Sequence, residues 1–70
     1  MDMEEDKTSF GIRIRDSLGK ELDKIVEESK YLDVSRSEVV EAILIAFFRS
    51  DVDHGERVRE LVIKKRKDKL

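Results

Sequence analysis

Two arginines set two residues apart, Arg13 and Arg15, and a basic run Lys64-Lys65-Arg66-Lys67-Asp68-Lys69 are the side chains best suited to chemistry in this chain. The chemistry is anion binding. The formal net charge is −2, but it is unevenly spread. Residues 1–15 hold four acids and three bases, 16–55 hold ten and five, and 56–70 hold three and seven. The overall balance therefore says little about a polyanionic partner, whereas the local clusters do. Nothing competes with this on the catalytic side. There is no nucleophile–base pair, no Gly-rich phosphate loop and no His–carboxylate spacing, so an enzyme is not expected. One His and no Cys exclude disulfides and a zinc cluster, so neither metal nor cofactor is expected. His54 reads as incidental.

The elements that must position these groups follow from periodicity. In Phe10-Gly11-Ile12-Arg13-Ile14-Arg15, apolar residues alternate with Gly and Arg, the period of a β-strand with one greasy and one cationic face. A lone strand leaves its backbone groups without partners, and no second strand is evident, so the partner is expected from another copy of the chain. The arginines also suit a solvated edge, where charge deters aggregation. Asp16 and Ser17 are candidate caps for a helix whose apolar face is Leu18, Leu22, Ile25, Val26 and Ser29. Gly19 in its first turn suggests a close approach to a neighbouring backbone. This helix should end near Lys30 or Tyr31, before the connector Leu32-Asp33-Val34.

Ser35-Arg36-Ser37-Glu38 has the spacing of a capping box, in which Ser35 accepts from the Glu38 N–H and the Glu38 carboxylate reaches back. The helix it opens carries Val39, Val40, Ile43, Leu44, Phe47 and Phe48, with Ala42, Ile45 and Ala46 filling much of the circumference. A helix apolar nearly all round must be covered nearly all round, and so short a chain needs another subunit to do it. Phe10, Ile12, Ile14, Val40, Ile43, Leu44 and Phe47 are accordingly the expected dimer core. After Asp51–Gly55, Val58, Leu61 and Val62 mark a third helix over 56 to about 66. Its terminal lysines complement the helix dipole or meet a phosphate or a partner protein.

The expected organisation is a disordered acidic arm at 1–8, a dimerising unit at 9–50 and a C-terminal helix with basic tail at 51–70. Charged residues reach 46%, and Asn, Gln, Cys, Trp and Pro are absent, a thermophile-like bias. The chain opens without an apolar leader, and its longest apolar run is too short for a bilayer, which needs roughly 20 residues. A cytoplasmic protein is expected.

Taken together, the alternating strand Ser9–Ile14, the Leu18-x3-Leu22-x2-Ile25 helix and the Ser35-Arg36-Ser37-Glu38 helix start resemble the ribbon-helix-helix repressors of the Arc/MetJ/CopG type over residues 9–49. The resemblance implies a mostly α homodimer whose strands pair as a two-stranded antiparallel ribbon inserted in the major groove of double-stranded DNA. It implies base contacts from Ser9, Gly11 and Arg13, and phosphate contacts from Arg15, Ser35, Arg36 and Ser37. The implied role is a transcriptional regulator. The other role compatible with these residues is an antitoxin or interaction module that captures a partner protein with residues 51–70.

Overall fold

A computed structural model describes residues 5–70 as three helices: α1 (Asp16–Glu28), α2 (Arg36–Arg49) and α3 (His54–Arg66). A single 3-10 turn, Lys30–Leu32, lies between α1 and α2. Among the described residues there is no β-strand, and this overturns both the ribbon and the ribbon-helix-helix resemblance. The physical reason lies in pairing. A strand exists through its ladder, and among the described residues no segment pairs with Phe10–Arg15. The segment therefore runs into α1 without regular structure. With no ribbon, insertion of a dimeric strand pair into the DNA major groove has no element to carry it. Of the acidic arm expected over 1–8, residues 1–4 lie outside the described residues, and 5–8 have no regular secondary structure.

The cap of α1 falls one position before the expected Asp16 and Ser17. Arg15 is its N-cap, with an extended backbone, and its carbonyl accepts from the N–H groups of Leu18 and Gly19 at 3.0 and 3.1 Å. Its side chain makes no capping bond, since a guanidinium has no acceptor. Asp16 instead sits in the first turn, where a carboxylate complements the helix dipole. Leu22, Val26 and Ser29, on the stripe read from the sequence, are half-buried. Gly19 has open space where a Cβ would stand, so no backbone approaches it. Gly19→Ala is therefore expected to stabilise the fold by about 1 kcal/mol through helix propensity, read as a raised thermal midpoint.

The chain leaves α1 through Ser29, whose N–H donates to the Val26 carbonyl at 3.1 Å, and turns back at Asp33. Asp33 is left-handed, with φ 56° and ψ 47°, and its N–H donates to the Lys30 carbonyl at 3.0 Å. Asp is one of the few non-glycine residues that tolerate that region, so the reversal needs no glycine. Helix α2 then packs against α1, the one broad helix–helix contact among the described residues.

Helix α3 is capped by Asp53, whose carboxylate accepts from the Glu56 N–H at 3.0 Å. It ends with Lys64, Lys65 and Arg66 in its last turn, where cations suit the dipole. Its first residue meets α2 in an aromatic cluster. The His54 ring lies 5.2 Å from Phe47 and 5.3 Å from Phe48, and the two phenyl rings are 5.1 Å apart, edge to face.

The three helices enclose no core. No described residue is buried, and large apolar side chains stand open to solvent, among them Phe10 (74% exposed) and Phe48 (58%). The accessible surface is 6833 Å² for an 8.2 kDa chain. A compact monomer of that mass would show about 4,500 Å². The radius of gyration, 14.4 Å, likewise exceeds the roughly 11 Å of a compact 70-residue chain.

Candidate interaction surface

The apolar residues of the N-terminal segment keep to one side even without a strand. Phe10, Ile12 and Ile14 line an open groove of about 850 Å³ together with Leu22 of α1 and Val40 and Leu44 of α2. Gly11, Arg13 and Arg15 are not among its lining residues, so the alternation read from the sequence still sorts the two sets. An ion pair between the Lys7 Nζ and Glu41 Oε1, 3.6 Å long, ties the segment to α2 along the rim. The groove continues past Glu41 and Leu44 onto a shallower strip of α2 formed by Ile45, Phe48 and Arg49. Residues 41, 44, 45 and 48 share one helical face, so the strip adjoins the groove along α2 through Glu41 and Leu44.

At the polar end of the groove stand Ser35, Arg36, Ser37 and Glu38. The Ser35 Oγ accepts from the Glu38 N–H at 3.2 Å, which satisfies one of the four donors a helix start leaves open. The reciprocal bond of a capping box, from the Ser35 N–H to the Glu38 carboxylate, is not formed, so the cap is one-sided. Ser35→Ala should still cost about 1 kcal/mol of stability in a denaturant titration, and a neutral result would show that the cap is immaterial.

Arg36 is held by a bond the sequence did not reveal. Its Nε donates to Asp23 Oδ1 at 2.6 Å and its Nη2 to Asp23 Oδ2 at 2.8 Å, a fork-to-fork pair between α1 and α2. Two of its donors are thus committed to a carboxylate of its own chain. The pairing holds the Asp23 carboxyl below the usual carboxylate range, chiefly through the hydrogen bond from Arg36, and pushes the guanidinium up in turn. A depressed carboxylate contributes stability above its unfolded pKa and loses it as pH falls through the folded one. Acid titration of the unfolding midpoint should show this loss in the wild type and not in Asp23→Asn. Both side chains are more than half exposed, so the difference should shrink in salt.

The remaining residues singled out from the sequence are more scattered. Ser9 lines the groove, while Gly11, Arg13 and Arg15 are exposed along the segment before α1. Open space surrounds the Cβ position of Gly11. Without a ribbon, the reading of Ser9, Gly11 and Arg13 as base-edge contacts loses its frame. Ser37 is exposed in the first turn of α2. Of the residues assigned to a dimer core, Phe10, Ile12, Ile14, Val40 and Leu44 converge on the groove. Ile43 lines neither groove nor strip and is 54% exposed, and Phe47 is half-buried in the aromatic cluster. His54, read as incidental, is the joint between α2 and α3, with its Nε2 3.0 Å from the Ser50 carbonyl. No periodicity signals that role, because a loop separates the ring from its neighbours.

Among the described residues no three or more acidic or histidine side chains are grouped to hold a metal ion, and no helix is long and apolar enough to cross a membrane. Comparison with family models, curated protein sequences and solved structures gave no match to this chain.

Proposed function

We propose that this chain is a helical protein-interaction module, not an enzyme, and that it completes its core with a second copy of itself. The observation that carries the reading is the uncovered apolar surface. The excess over a compact monomer is about 2,300 Å², and leaving residues 1–4 out of the account removes at most about 700 Å² of it. Roughly 1,600 Å² per chain is left, or more than 3,000 Å² for a pair, within the 2,000–5,000 Å² that obligate homodimers bury. At about 25 cal/mol per Å², covering even the apolar part of that area is a large stabilisation for so small a fold.

Sedimentation equilibrium over a range of concentrations, with helicity followed in parallel, tests this. The expected result is twice the 8.2 kDa chain mass, with a thermal midpoint that rises with concentration. A folded monomer with a concentration-independent midpoint would overturn self-association. It would favour a second reading, in which α3, with Val58 and Ile63 exposed, is presented to a different protein in the manner of an antitoxin or other capture module.

A further inference from the structure

Helix α3 has no broad contact with α1 or α2 and yet is not polar. Val58 (41%), Val62 (36%) and Ile63 (53%) are exposed on it, and its far end is strongly cationic. The segment 56–70 carries +4, whereas 16–55, which contains α1 and α2, carries −5. Of the five acids of α1, Asp23 and Glu27 are paired within the chain to Arg36 and Lys30, and Asp16, Glu21 and Glu28 are exposed besides them. The chain is therefore complementary to itself, with a basic apolar helix at one end and an acidic body bearing an uncovered apolar strip at the other.

Resting on the self-association reading, we propose that the basic end of α3 docks against the edge of α1 that carries Glu21 and Glu28 in the second copy. Its apolar residues then extend the cover over the open strip of α2. Two lines of support converge. The +4 of residues 56–70 and the −5 of residues 16–55 attract each other within the roughly 8–10 Å Debye length of ordinary buffers. The joint at Asp53 and His54 also sets α3 off from the body, leaving it available to another chain. The charges give orientation and partner choice, and the apolar contacts give the affinity.

Two full-length variants test this, Lys64→Glu with Lys65→Glu, and Glu21→Lys with Glu28→Lys, each followed by sedimentation at about 0.05 M and about 0.5 M salt. Each alone should associate about tenfold or more weakly than the wild type at low salt, with the gap closing at high salt. Mixed in equal amounts, they should form the heterodimer in preference to either homodimer, because both charge pairings are restored in it. Wild-type association by both variants, with no preference on mixing, would overturn the docking of α3 and leave self-association standing. The same would follow if the Lys64/Lys65 variant kept its association and lost only binding to a polyphosphate probe. A wild type that stays monomeric throughout would instead overturn the self-association reading itself.

Discussion

Leu44→Asp is expected to abolish self-association and cooperative folding together. Leu44 is the residue shared by the groove beneath Phe10, Ile12 and Ile14 and the strip formed with Ile45 and Phe48. In the isolated chain it is 44% exposed, so a carboxylate there would be readily hydrated and would cost the monomer little. Its cost arises on association, when both surfaces are covered and an unpaired charge is taken from water, a penalty of several kcal/mol. A chain that buries none of its described residues has no independent core to fall back on. Circular dichroism should then show a broad, non-cooperative melt, and sedimentation the 8.2 kDa species. A variant that associates like the wild type would remove Leu44, and the groove with it, from the interface. A conservative partner, Leu44→Met, should retain both properties, since a volume-conserving apolar swap costs under about 1.5 kcal/mol.

Phe47→Ala is the second large effect, and its signature differs. Phe47 is half-buried, and its ring is in edge-to-face contact with Phe48 and against His54. Truncation removes most of that side chain's burial and two aromatic contacts, for a loss of roughly 2–3 kcal/mol. The loss should be local as well as global, because the joint of α3 depends on this ring. Hydrogen exchange should accelerate over residues 54–66 more than over α1. Uniform acceleration along the chain would mean that Phe47 supports the α1–α2 packing and not the attachment of α3. His54→Leu, which keeps the packing and removes the bond at the Ser50 carbonyl, separates the ring's bulk from its polarity.

Much of the helical architecture is legible because its signals are local. The stripe on α1, the Ser35 hydroxyl at the head of α2, the tolerance of Asp33 for a left-handed backbone and the valine–leucine spacing of α3 each depend on residues within a turn or two of one another. The apolar character of α2 all round its circumference likewise announces a deficit of cover, and the exposed Ile43, Leu44, Ile45 and Phe48 express it. The expected strand fails for the opposite reason. Alternation at residues 10–15 states which side chains share a side, but only a hydrogen-bonded neighbour makes a strand. Among the described residues no segment pairs with them.

Residue types and their spacing thus determined the helices, the caps of α2 and α3, the sorting of Phe10, Ile12 and Ile14 to one side and the segregation of charge along the chain. Those properties follow from backbone periodicity and from short-range hydrogen bonding, which act within a few residues. Only the tertiary structure decided that the N-terminal segment lies across α1 and α2 as a groove wall, that Arg36 is committed to Asp23 thirteen residues away, and that His54 joins α3 to α2. Each of these depends on where distant parts of the chain meet, and that is set by the packing of whole helices.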